Sequence, residues 1–274
     1  MVKSVLLKVL IYTLLSIGAM LMILPFVWMI STALKAPNEV MAMPPVWIPS
    51  EIRWDNFTKA LDVAPFGRYF INSIIVTVVS TIGELITAIL AAFAFSKMKF
   101  YGRDVLFAVL LGTMMVPGEV LLIPNFVTLS NLGWIDSYNA LIIPWIASIF
   151  SIFLLRQYFL GMPEQLAYAA KVDGCGDFKF LWYIMVPLAK PALITIGLLK
   201  VIGSWNAFLW PLIVTNSREL RTLPVGLSAF TTEAGTSYEL LMAASCMVVL
   251  PIVILFFFMQ KQIVEGVSRS GVKG

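Results

Sequence analysis

Three ionisable side chains, Glu84, Glu119 and Lys200, stand inside stretches that are otherwise apolar. A charge in hydrocarbon is costly, so such groups pair, line water or face the interior of a helix bundle. Glu84 falls about thirteen residues into its stretch and Lys200 about nine into its own, which at about 1.5 Å per residue puts both near the middle of a membrane. Opposite signs at similar depth allow an ion pair; the alternative is that each faces an aqueous cavity or a partner subunit. Catalysis is a poorer use for them. The chain has no His, the commonest general base and metal ligand, and its two cysteines, Cys175 and Cys246, are too few for a zinc site. No G-x-x-x-x-G-K-[ST] phosphate loop occurs. The chain is therefore expected to be no enzyme and to bind no metal or cofactor of its own.

The elements that must hold these charges follow from composition. Of the 274 residues, 60% are apolar and 12% charged, against about 45–50% and 25% in a soluble domain. A bilayer core about 30 Å thick takes roughly 20 apolar residues in helix. Six runs of that order appear, at about Val9 to Ala33, Ile71 to Ser96, Val105 to Thr128, Tyr138 to Leu160, Pro191 to Thr215 and Leu240 to Gln260. The first is too long for the apolar core of a cleaved signal and is read as a retained helix. Pro25, Gly112, Pro117, Pro144, Gly197, Pro211 and Pro251 lie within runs, where membrane bundles tolerate them.

Basic residues give the sidedness. With the N-terminus inside, twelve of the 19 Lys and Arg fall in cytoplasmic segments: Lys3, Lys8, Lys97, Lys99, Arg103, Arg156, Lys171, Lys179, Lys190, Lys261, Arg269 and Lys273. Six fall outside, namely Lys35, Arg53, Lys59, Arg68, Arg218 and Arg221. That bias places both termini in the cytoplasm and accounts for the net charge of +4 without a nucleic-acid partner. The chain then divides into residues 1–70 (first helix and outer loop), 71–262 (a five-helix core) and 263–274 (a cytoplasmic tail). The outer loop, about Leu34 to Phe70, is rich in Pro and Trp and suits the membrane interface. With Cys175 in a cytoplasmic loop and Cys246 in the sixth run, no disulfide is expected.

The inner loop, about 161–190, reads as a helix, a tight turn and a second helix. Pro163 suits a first helical turn, and Glu164 complements the positive end of the dipole. Gly174 is placed to end that helix, and Asp177 to cap the next one at Phe178. Pro187 and Pro191 mark the exit into the fifth run. Ala169 and Ala170 leave little side chain beside the turn, so another protein could approach the backbone closely.

The order Ala169-Ala170, Gly174, Ile184, Val186-Pro187 resembles the cytoplasmic signature of the integral permease subunits of ABC importers. The likeness extends to Asn72-Ser73, Pro117-Gly118-Glu119 with Ile123-Pro124, the stretch from Gly203 to Leu212, and the terminal Gly271-Val272-Lys273-Gly274. Together these are similar to the carbohydrate branch, the shorter maltose-type inner-membrane subunit. Two positions depart from the pattern. Tyr168 stands where an acidic residue usually precedes the alanines, and Ala207 where Asp commonly follows Trp-Asn.

The resemblance implies an all-α membrane protein of the type I ABC importer permease fold, with six transmembrane helices and a cytoplasmic coupling-helix loop. It implies a second permease subunit, most simply a heterodimer, two ATP-binding subunits that use ATP and Mg, an extracytoplasmic sugar-binding protein, and the cell membrane of a prokaryote. In that frame Ala169, Ala170 and Gly174 permit close docking of the ATPase, Glu164 and Asp173 orient the short helices, Phe178 anchors the turn in an apolar pocket, and Pro187 closes the loop. Trp205 and Asn206 offer a ring face and an amide to sugar, or serve as interhelical glue. Glu119 is expected to stabilise a broken helix. The competing readings are an autonomous secondary carrier or channel, which needs its own ion site and usually an internal repeat, and an importer of a non-sugar solute such as glycerol phosphate.

Overall fold

The computed structural model describes residues 2–232 and 235–271, with side chains over 6–231 and 235–260. Val272-Lys273-Gly274 of the terminal motif lies outside the described residues. Helix dominates, in the order α1 Val2–Ala33, α2 Pro37–Val40, α3 Asp55–Val63, α4 Phe66–Lys97, α5 Arg103–Thr113, α6 Leu122–Asn131, α7 Tyr138–Ile142 and α8 Ile149–Leu160. There follow α9 Glu164–Val172, α10 Asp177–Phe180, α11 Val186–Leu188, α12 Lys190–Trp205, α13 Leu209–Val214, α14 Leu223–Gly226 and α15 Tyr238–Gly271. A two-stranded antiparallel pair, β1 Thr231–Thr232 and β2 Gly235–Thr236, precedes α15.

Four segments are long and apolar enough to cross a bilayer alone: Leu6–Ala33, Phe66–Lys97, Tyr138–Leu160 and Tyr238–Gln260. Two more qualify only as bent pairs, Arg103–Thr113 with Gly118–Asn131 at 90° and Asp177–Leu188 with Lys190–Trp205 at 78°. The chain thus has four to six candidate spans.

The third and fifth runs are not continuous helices, and in the third the break falls at Pro117-Gly118, where a broken helix is expected. In the third, Pro117 lacks an N–H and pushes the residue before it out of helix, so α5 ends at Thr113 and a 3-10 turn, Gly118–Leu121, leads into α6. In the fifth, the ring of Pro211 would meet the carbonyl of Ala207 in a continuous helix, so the chain breaks at Asn206–Phe208 and restarts with Pro211 in the first turn of α13. The fourth run is interrupted at Pro144, where a 3-10 turn, Ile143–Trp145, separates α7 from α8. Single prolines at Pro25 and Pro251 leave α1 and α15 helical.

Two compact units emerge. One holds residues 1–67 and 226–253. In it the outer segment is strapped to the end of α1 rather than lying free: Asn56 Nδ2 donates to Ala33 O and Lys35 O at 2.9 Å each. Buried Lys35 lies 3.9 Å from the Trp28 ring, and Trp47 packs edge-on against Trp28.

The other unit holds residues 68–225 and 254–274. Its main core joins Ala88, Ala92 and Phe93 of α4, Phe107 of α5, Leu155 and Phe159 of α8, Ala170 of α9, Leu181 and Met185, and Ile196 of α12. The inner loop is therefore part of the packed core. A basic side chain closes one edge of it. Arg156 stacks over Phe107 at 4.1 Å and donates to Phe95 O at 3.0 Å.

Candidate functional site

The fourth run supplies the first element of the site because a helix broken at membrane depth must find partners for its freed carbonyls. Three of the carbonyls at the break are met by side chains from other helices. Ala140 O would bond the amide of residue 144, which is proline; Trp210 Nε1 donates to it instead, at 2.9 Å. Trp145 O accepts from Lys200 Nζ at 2.7 Å. Ile146 O accepts from Thr87 Oγ1 at 2.6 Å. The helix then restarts at α8 with Ser148 as N-cap, its hydroxyl accepting from Ser151 N.

Glu84 closes the network. Its Oε2 lies 2.9 Å from Lys200 Nζ, with side-chain exposures of 7% and 13%, so the opposite charges considered above meet in a nearly dry ion pair. Ser151 Oγ donates to Glu84 Oε1 at 2.6 Å. One carboxylate, one ammonium, one hydroxyl and one carbonyl satisfy each other across α4, α8 and α12. Close approach is possible because residue 83 is glycine: a Cβ there would lie 2.9 Å from Ile146 Cγ2.

Glu84 belongs to a stripe that the sequence reading did not isolate. Ser73, Thr77, Ser80, Glu84 and Thr87 recur at helical spacing on α4, and the first four are buried. At its outer end Asn72 Nδ2 donates to Glu219 O and Arg221 O at 2.7 and 2.9 Å, while Tyr138 Oη donates to Asn72 Oδ1 at 2.6 Å. Ser73 Oγ accepts from Leu223 N at 2.8 Å. The Asn72-Ser73 pair thereby straps the outer segment 219–223 to the start of α4. The period of the stripe was available in the sequence; its partners, 59 to 150 residues away, were not.

Asp136 forms a second clasp. It holds a positive φ of 60°, and its Oδ1 accepts from Ser217 N, Asn216 N and Ser217 Oγ at 2.9 to 3.0 Å. These hydrogen bonds, Ser217 foremost, hold its carboxyl below the ordinary aspartate range.

On the inner loop, α9 ends as its glycine requires. Gly174 has a φ of 70°, Cys175 N donates to Ala170 O at 2.8 Å and Gly174 N to Lys171 O at 3.1 Å, the double closure of a Schellman motif. Pro163 stands just before the helix as its N-cap, and Glu164 opens the first turn. Asp177 does not cap α10. It is already helical, Gly176 precedes it as cap, and its carboxylate complements the dipole from within the first turn. Successive helical residues point about 100° apart, so the two alanines divide: Ala169 is exposed and Ala170 is buried in the core. Asp173 is exposed at the C-cap of α9, the end of the dipole that does not favour a carboxylate. Phe178 is 70% exposed, with its ring edge on Trp182, and Pro187 is exposed in α11.

The remaining candidates separate. Trp205 is buried with its ring against Phe70 at 5.9 Å, which removes its face from solvent. Asn206 is exposed at the C-cap of α12 and donates to Ile202 O of its own helix, so it is no glue to a neighbouring helix of this chain. Glu119 is exposed in the 3-10 turn of the third run, where the helix is indeed broken, and its carboxylate has no partner among the described residues. Among the described residues no group of three or more His, Cys, Asp or Glu is arranged to hold a metal.

Comparison with known proteins adds the family. Residues 84–269 match the family described as "binding-protein-dependent transport system inner membrane component". The arabinooligosaccharides transport system permease protein AraQ of Bacillus subtilis (strain 168) is 38% identical over 227 residues, covering 82% of this chain and 81% of AraQ. The sn-glycerol-3-phosphate transport system permease protein UgpE of Yersinia pestis is 30% identical over 267 residues, 94% of this chain and 95% of UgpE. The crystal structure of a bacterial ABC transporter involved in the import of the acidic polysaccharide alginate contains a chain of like fold, with a TM-score of 0.85, 27% identity, and 94% and 97% of the two chains covered. The alginate transporter solved with its alginate pentasaccharide-bound periplasmic protein has a chain that shares the fold at a TM-score of 0.67 and 15% identity. The chain belongs to the family of inner-membrane components of binding-protein-dependent transport systems, and it is a membrane-spanning permease subunit of the ABC transporter class.

Proposed function

We propose that this chain is one of two permease subunits of an ATP-driven sugar importer in the cell membrane of a prokaryote. Each bent pair supplies one crossing, the second through its Lys190–Trp205 arm, giving six, with both termini in the cytoplasm as the basic residues indicate. A second permease completes the pore, two ATP-binding subunits dock on the inner loop, and an external binding protein delivers the sugar. The observation that carries this reading is the loop itself. It is rooted in the core through Ala170, Phe180, Leu181 and Met185, yet presents Tyr168, Val172, Phe178 and Tyr183 to solvent. Force applied to such an exposed apolar face reaches the spans directly, because the loop and the spans share one core.

Sugar is favoured as cargo by the AraQ and alginate relatives; UgpE supports glycerol phosphate as the second reading. The test is uptake into proteoliposomes by the reconstituted complex, with maltotriose, arabinotriose and glycerol 3-phosphate offered in turn. ATP-dependent uptake of an oligosaccharide that requires every subunit is expected. Gly174→Glu, which places a side chain in a left-handed position on the docking face, is expected to abolish uptake while the protein still inserts. Transport by this chain alone would establish the carrier or channel reading instead.

A further inference from the structure

The network at the fourth run leaves one ring unused. Trp145 stands in the 3-10 turn at the break, its carbonyl bonded by Lys200 at 2.7 Å. Its indole packs edge-on against Trp210, with ring centroids 5.9 Å apart and planes at 80°, and Trp210 is itself pinned by its bond to Ala140 O. Even so, Trp145 keeps 43% of its surface exposed. It is a rigidly held aromatic group with a free face.

The backbone beside that face is of a kind that lipid does not tolerate. Irregular backbone at membrane depth is tolerated only where protein buries it or water lines it. Trp145 lies seven residues past the start of α7, about 10 Å along the span at 1.5 Å per residue. Ala147, two residues on, makes no backbone hydrogen bond among the described residues. Lys200 Nζ, on a side chain 13% exposed, is held against the same turn. An unwound turn and an unpartnered peptide group point to water rather than lipid on this side of the span.

A sugar ring has one apolar face of C–H groups and a rim of hydroxyls. A flat, immobilised indole matches the first at low ordering cost, and the exposed, unpartnered peptide group of Ala147 can bond the second. The other Trp beside a candidate amide, Trp205, cannot serve, because its ring is buried against Phe70. We propose that Trp145 is a sugar-contact residue of the translocation pathway, its exposed face stacking on a pyranose or furanose ring as cargo passes the break. The inference rests on the sugar-importer reading above.

The experiment uses the complete complex in proteoliposomes, with oligosaccharide uptake divided by ATP hydrolysed. Trp145→Ala is expected to lower that ratio at least tenfold, while Trp145→Phe and Trp145→Tyr, which keep a ring, stay within about threefold of the parent. Wild-type uptake per ATP by Trp145→Ala would overturn the proposal. So would loss of co-purification of the second permease with Trp145→Ala, since the ring would then be an interface residue. If the parent complex carries glycerol 3-phosphate and neither oligosaccharide, the sugar reading itself fails. An unchanged ratio for Trp145→Ala alongside robust oligosaccharide uptake sinks only the role of this ring.

Discussion

Of the apolar runs that break at a proline, the third and the fourth do so in different ways. At Pro117 the backbone turns by 90° and satisfies itself locally: Met114, Met115 and Val116 donate to carbonyls three residues back, and Val120 donates to Pro117 O. Met115 and Val120 are exposed, and the carboxylate of Glu119 beside them has no partner among the described residues. At Pro144 three carbonyls at the break are met by Trp210, Lys200 and Thr87 from three other segments, and an ion pair backs the central contact. The first break is shaped by local turns alone. The second is a joint at which α4, α8, α12 and α13 are fastened together. The difference shows that a proline specifies where a membrane helix stops, while neighbouring side chains decide whether the stop is fixed.

The contrast can be broken at several points. Lys200→Met leaves the Glu84 carboxylate buried and unpaired and strips Trp145 O of its donor, so it should destabilise the purified complex by about 3–5 kcal/mol in denaturant melts. Trp210→Phe and Thr87→Val each orphan one carbonyl and should cost about 1–3 kcal/mol in the same assay. The clasp at Asp136 sharpens the comparison, because it pins the connector that follows the third run even though the break within that run is not fastened. Its carboxyl is depressed by hydrogen bonds, so its contribution is fully present above the ordinary aspartate pKa of about 3.9 and is lost as the pH falls through the lowered value. A melt series should show Asp136→Asn less stable than the parent by about 1 kcal/mol at neutral pH, with the gap closing in acid. Glu119→Gln, at the unfastened break, should stay within about 0.5 kcal/mol of the parent.

Much of this architecture was legible in the residues. Runs of apolar sequence located the spans, Gly174 announced the turn it makes, and Pro117-Gly118 marked a broken helix. Glu84 and Lys200 were recognisable as a possible pair from sign and depth alone. What stayed hidden depends on which distant residues meet. Pro144 reads as a tolerated kink, and nothing local says that Trp210, 70 positions along the chain from Ala140, takes up the acceptor it vacates. Hydropathy likewise cannot divide Ala169 from Ala170, since the two are alike in chemistry and differ only in the face they turn. Trp205 drew attention as an aromatic ring beside an amide, yet packing against Phe70 closes it, while Trp145 is left open by a break whose consequence is tertiary.

The claim that the fourth run is held by a charged joint is tested most directly by a double-mutant cycle on Glu84→Gln and Lys200→Met, read as the stability of the purified complex. The pair lies at 2.9 Å in a nearly dry setting, so the two losses should be strongly non-additive, with a coupling of about 2 kcal/mol or more and the double variant more stable than Lys200→Met alone. Losses that simply add would contradict the account.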